Sequence, residues 1–130
     1  MGYRWNGSLK ALRLPDGLTT LHLGHEFDQP IGRVRFPRGL SVLTFGDSFN
    51  QPLHEVQFPP GLEKIEFGNS FGQPLDGVKW PRTLRQVQFG HSMDEAEVHD
   101  TDWPYEFLDS LVVGDWLLVE NGIWMIDCFC

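Results

Sequence analysis

The chain has 130 residues, 41% of them hydrophobic and 13% aromatic, which is enough for one well-filled core and too little for two full domains. Fourteen Gly and nine Pro interrupt it too often for a bundle of long helices. A formal charge of −8 argues against nucleic acid or an anionic membrane as the main partner, because phosphate binding is driven by cationic side chains that release counterions.

At the N-terminus, Met1 is followed by Gly2-Tyr3-Arg4-Trp5 rather than by a basic segment and an apolar run, so no secretory signal is expected. No stretch approaches the roughly 18 to 20 consecutive apolar residues that a membrane-spanning helix requires. Asn6-Gly7-Ser8 matches a glycosylation sequon, a tripeptide common by chance. Gly2, Trp5, Leu9, Leu12, Leu14 and Pro15 then read as the second half of a unit that recurs downstream. The chain thus begins in the middle of a repeat.

From residue 18 the recurrence is plain. The pair Gln-Pro occurs at 29–30, 51–52 and 73–74, a spacing of 22 each time. Gly24, Gly46, Gly68 and Gly90 form one column, and Phe27, Phe49, Phe71 and Met93 another. Ile31 and Leu53 belong to a third, which loses its member at the fourth position. Val34, Val56 and Val78 lead into Phe36, Phe58 and Trp80, each followed by a proline. Leu18, Leu40, Leu62 and Leu84 open the next segment; Leu21, Leu43, Ile65 and Val87 come three residues later, then Leu23, Phe45, Phe67 and Phe89. Such a period of about 20 to 50 residues is the signature of a solenoid.

Each unit holds two apolar pairs in alternation, for example Leu43-x-Phe45 and Val56-x-Phe58, and a period of two predicts two short strands per coil. Glycine ends the first strand, read here as a positive φ, and proline ends the second by removing a ladder donor. Seven large apolar side chains in one coil offset less than the entropy of ordering 22 residues, so a lone coil does not fold. Stacking resolves this, because neighbouring coils cover each other's apolar edges and complete each other's hydrogen bonds.

Leu40-Ser41-Val42-Leu43-Thr44-Phe45, followed by Gly46 and Phe49, resembles the leucine-rich-repeat signature. With Phe49-Asn50-Gln51-Pro52-Leu53 the resemblance is closer to the FNIP-type repeat, a 22-residue relative, and it covers roughly residues 2 to 93. The resemblance implies a mainly β, right-handed leucine-rich-repeat-like solenoid that serves as an interaction scaffold, often beside an F-box. No F-box-like helical segment precedes the repeats, so a ubiquitin-ligase role is not expected.

In a stacked solenoid, residues 22 apart lie about 4.8 Å apart, and surface chemistry is read by column. The outward column of the first strand reads His22, Thr44, Glu66, Gln88, and its neighbour reads Thr20, Val42, Lys64, Gln86. This mixed polar face suits a protein partner, or is an ordinary solvated sheet. On the second strand the outward column reads Arg13, Arg35, Gln57, Lys79, with Arg33 and Arg38 close by. Like charges in a column repel unless something negative faces them, so the column either meets a partner or the acidic segment, or discourages edge pairing. Gln29, Gln51 and Gln73 are read as an amide ladder, each side chain bonding the one above. His22, His25, His54, His91 and His99 are too scattered for a zinc site.

Residues 94–130 form a degenerate fifth unit. Trp103-Pro104 aligns with Trp80-Pro81 only if one residue is inserted after Met93, and Leu111, Val113 and Gly114 require another. Residues 1–93 carry ten basic and eight acidic residues, a balance of +2, whereas residues 94–130 carry ten acidic residues and no Lys or Arg, a balance of −10. Trp116-Leu117-Leu118-Val119-Glu120, Asn121-Gly122 and Ile123-Trp124-Met125-Ile126-Asp127 read as a β-hairpin with a type I′ turn. It is expected to cap the end of the solenoid; the alternative is a dock for another protein through Trp116 and Trp124. Cys128 and Cys130 provide neither a disulfide framework nor a zinc set, so a reducing, intracellular compartment is the expectation.

The sequence therefore predicts one domain, with a solenoid over 1–93 and a cap over 94–130. Its expected role is a non-catalytic interaction or scaffold module, or an accessory subunit of a larger assembly, whose partner covers the open N-terminal coil or the acidic segment. No cofactor, metal or nucleic acid is expected. A carbohydrate-active enzyme on a parallel solenoid is the rival, but Glu26, Asp47 and Glu66 fall in three different columns and do not converge. A structural filler subunit is the third reading.

Overall fold

The computed structural model describes residues 4–9, 13–99, 101, 103, 110–114, 116–120 and 123–124. Four short strands recur at the repeat interval: β1 (Thr20–His22), β2 (Val42–Thr44), β3 (Lys64–Glu66) and β4 (Gln86–Phe89). They pair in parallel, each residue beside its counterpart 22 positions later, as in Leu21↔Leu43, Leu43↔Ile65 and Ile65↔Val87. The central residue of each strand is buried and its neighbours face outward, so the period of two found in the sequence is the period of the sheet. The result is a mainly β solenoid of 22-residue coils.

The interior is built by rings piling up at the coil spacing. Phe27, Phe49 and Phe71 are fully buried, and their centroids are 6.0 Å apart at both steps. Trp5 continues the stack below Phe27 at 5.5 Å, and Phe89 ends it 6.0 Å from Phe71. A second column, Phe45–Phe67–Phe89, runs beside it with separations of 5.2 and 5.1 Å. No polar or charged residue is buried among the described residues, so the core is held by burial and ring packing.

Two local expectations are corrected. Each coil holds one strand, not two: the stretches around Val34, Val56 and Val78 lie outside any strand. Their amides are turned back into the same coil, Val56 N–H donating to the Leu53 carbonyl at 3.0 Å and Leu62 N–H to the Pro59 carbonyl at 3.2 Å. With a turn on either side and a proline that has no N–H, too few donors remain for a ladder. Val56 still points inward at 3% exposure, so the alternation is real although the strand is not.

The glycine column serves close approach rather than positive φ. A Cβ on Gly68 would lie 2.5 Å from the Gly46 carbonyl oxygen and 2.6 Å from the Asp47 Cα, and Gly90 repeats this against Gly68 and Asn69. Only a hydrogen fits where one coil's backbone crosses the next. Among the described residues the positive φ angles belong to Gly77, Gly114 and Arg33.

Beyond Met93 the register breaks in the expected places. A five-residue helix, α1 (Glu95–His99), absorbs the first insertion, and Trp103 packs 4.8 Å from Trp80, its counterpart one coil earlier. Trp103 is buried, and its indole N–H donates to the Val98 carbonyl at 2.9 Å. Glu97, 22 residues after Leu75, accepts the Leu75 N–H on its carboxylate at 2.8 Å, while Val98, one residue later as the insertion requires, is fully buried. Strand β5 (Ser110–Val113) then joins β4 in parallel, Val87 beside Leu111, a step of 24 residues that counts both insertions. Strands β6 (Trp116–Glu120) and β7 (Ile123–Trp124) follow in antiparallel pairing, so the seven strands form one sheet in chain order. The hairpin is thus present and closes the edge of β5. Asn121-Gly122 and residues 125–130, including both cysteines, lie outside the described residues.

Candidate functional surfaces

The sheet positions one candidate surface. Thr20 and His22 on β1, Thr44 on β2, Lys64 and Glu66 on β3 and Gln88 on β4 all occupy outward positions, in the two columns read from the sequence. Part of this face is internally satisfied. Lys64 Nζ lies 3.4 Å from Glu66 Oε1, and the Thr44 hydroxyl donates to Glu66 Oε2 at 3.4 Å. Being partly exposed, the pair contributes little to stability. The pair presents both signs of charge within one sheet face. Beside it a groove of about 340 Å³ is lined by Ser41, Val42, Glu63, Lys64, Arg85 and Gln86.

The second segment of each coil carries the other surface. Arg13, Arg35 and Lys79 are all exposed, as expected of an outward column, but they are not brought together as one group. Arg13 and Arg35 share a cleft of about 560 Å³ with Arg33 and Asp16, over Leu9, Leu14 and Val34. Lys79 lines a second cleft of about 250 Å³, with Arg33, His54, Glu55, Val56 and Gln57. Arg33, two residues before Arg35 and read from the sequence as lying close to the column, borders both. Trp116 and Trp124 lie on β6 and β7 at the capped end, and their side chains are outside the described residues.

The glutamine ladder is replaced by an aspartate–asparagine one. Gln51 Nε2 donates to the Asp28 carboxylate at 2.9 Å and Gln73 Nε2 to Asn50 Oδ1 at 3.0 Å, so each glutamine reaches the previous coil's Asx side chain rather than the previous glutamine. The Asx oxygens also accept backbone donors one coil on: Asn6 from Asp28 N–H, Asp28 from Asn50 N–H and Asn50 from Gly72 N–H, at 2.8, 2.9 and 3.1 Å. Asp47 and Asn69 do the same for Asn69 and His91. Only an acceptor oxygen is needed, which is why Asp and Asn interchange in these columns. The spacing of Asn6, Asp28 and Asn50 was the signal available in the sequence.

Among the described residues no three His, Cys, Asp or Glu side chains gather to hold a metal ion, and no helix is long and apolar enough to cross a membrane.

The model of the FNIP Repeat matches residues 5–48 and again 49–92, two windows that begin on Trp5 and Phe49, members of one ring column. The chain belongs to the FNIP repeat family. Among solved structures it is similar to CroV588, described as a novel circular LRR protein, with 34% identity and a TM-score of 0.69. That likeness covers 85% of this chain and 16% of the other, so the FNIP chain spans about one sixth of that protein's length. No curated protein matches it.

Proposed function

We propose that this FNIP repeat chain is a non-catalytic interaction module that presents its sheet to a protein partner as an accessory part of a larger assembly. The observation that carries the reading is the sheet face. Outward side chains from Thr20 to Gln88 are held in two straight columns across four parallel strands, in one fixed register. A surface so ordered loses little side-chain freedom when a partner covers it. Its mixture of hydroxyl, amide and opposed charges favours a protein over a polyanion.

The test is site-specific photocrosslinking in native extract, with the probe at His22, Thr44 or Gln88 in one set and at exposed Ser70, outside both basic clefts, in another. The reading predicts one discrete adduct from the sheet set, lost when Thr44 and Gln88 are both changed to Arg while the circular dichroism spectrum is unchanged. Equal, diffuse labelling from all four positions would reject it.

A further inference from the structure

Three arginines converge where the sequence columns show only two. Arg13, Arg33 and Arg35 line one cleft of about 560 Å³ and are all exposed, and none of them has an ion-pair partner among the described residues. Three unpaired guanidinium groups around one cavity repel each other, and an anion between them removes that cost. Arg33 adds a second signal. Its φ of 65° is in the left-handed region, which an ordinary side chain enters at a cost of about 1–2 kcal/mol. The equivalent residue two coils on is Gly77, with a φ of 73°, so the same backbone shape is reached there without strain. A glycine would suit position 33 locally; the arginine adds a charge to both basic clefts.

The rest of the lining decides which anion fits. The floor is apolar, with Leu9 and Val34 buried and Leu14 half-buried, and it contributes nothing to a bare phosphate chain. Asp16 in the first cleft and Glu55 in the second repel an unbroken polyanion but leave room for separated carboxylates. Arg33 borders both clefts, and Arg13 and Lys79, one in each, are three coil steps of about 4.8 Å apart. An extended peptide of about four to five residues covers that distance at roughly 3.3 Å per residue.

We propose that the cleft of Arg13, Arg33 and Arg35 binds an extended acidic peptide segment of a partner protein in which carboxylates alternate with apolar residues. This deepens the interaction reading and rests on it, while placing contact on a different surface from the sheet. Carboxylates pair with the guanidinium forks, and the intervening apolar side chains cover Leu9, Leu14 and Val34.

The probe is a fluorescein-labelled ten-residue peptide alternating Glu and Leu, titrated with the full chain by fluorescence anisotropy at 50 mM and 500 mM salt. Binding is expected at low salt, weakened at high salt, and weakened at least about tenfold by combined Arg13→Glu and Arg35→Glu changes. Arg33→Gly is expected to weaken binding while raising the melting temperature, which separates loss of a contact from loss of fold. A Glu–Ser peptide is expected to bind several-fold less well. The proposal is overturned by absent binding at millimolar chain concentration, by binding indifferent to the double change, or by equal affinity for a twelve-nucleotide single-stranded DNA. Sedimentation showing a self-association that the double change abolishes would also overturn it, by assigning the cleft to a second copy. If the cleft fails but crosslinking from the sheet positions persists, only this proposal falls.

Discussion

The coils from β1 to Met93 and the segment that follows share one sheet but obey opposite rules. In the coils, each group finds its partner 22 residues away: strand beside strand, ring on ring, Asx oxygen on backbone N–H. Nothing in that scheme tells the stack where to stop. In the C-terminal segment the step lengthens to 24 residues, a short helix intervenes, and the last strands reverse direction. Pairwise repetition supplies cooperativity, and a stop requires residues that break it. The antiparallel β6 covers the outer side of β5 without offering the next parallel site in the same form.

Perturbations of differing size sharpen this contrast between interior and end. The largest effect is expected from Phe49→Ala, which removes a fully buried ring stacked on both sides and is predicted to cost about 3–5 kcal/mol by denaturant unfolding. Trp5→Ala, at the end of the same stack and only half-buried, should cost clearly less. If the two losses were equal, the rings would not form a column with distinct middle and end. Gly68→Ala is predicted to cost roughly 3 kcal/mol, because its Cβ would meet backbone atoms that cannot move independently. Gly61→Ala, whose Cβ would first meet the Arg38 carbonyl oxygen at 3.6 Å, is the control and should be close to neutral. Thermal melts of the pair would expose a mistaken crossing of coils.

Smaller effects follow at the surface. Asn50→Ala deletes the acceptor for Gly72 N–H and Gln73 Nε2 and should lower stability by about 1–2 kcal/mol. Asn50→Asp should be nearly silent, since Asp28 fills the same place one coil earlier. Arg33→Gly runs the other way: relief of the left-handed strain, less the greater freedom of glycine in the unfolded chain, gives an expected gain of about 0.5–1 kcal/mol. A loss instead would mean that the Arg33 side chain supports the fold.

Much of the architecture was legible because the interior is a matter of period. Gly24 to Gly90 and Phe27 to Phe71 fixed the coil length, and the two insertions near Met93 and Leu111 were visible as slips in the same columns. The glycines were correctly placed but given the wrong reason, since a sequence does not distinguish a positive φ from a backbone crossing. Val56-x-Phe58 has the alternation of a strand, yet whether its amides turn inward or pair outward depends on neighbouring coils. The outward columns of the sheet were readable for the same reason as the core. Arg33 was legible only as a neighbour of the basic column, because its place between two clefts depends on a local backbone conformation.

The central claim is the ring stack through successive coils, and it is tested most directly by nuclear Overhauser effects between ring protons in chain selectively labelled at phenylalanine. Cross-peaks linking Phe27 with Phe49 and Phe49 with Phe71 are predicted, with none linking Phe27 to Phe71 directly, since Phe49 stands between them. Absence of both neighbouring cross-peaks in a folded sample, or a direct Phe27 to Phe71 contact, would contradict the 22-residue winding from which every surface described above is derived.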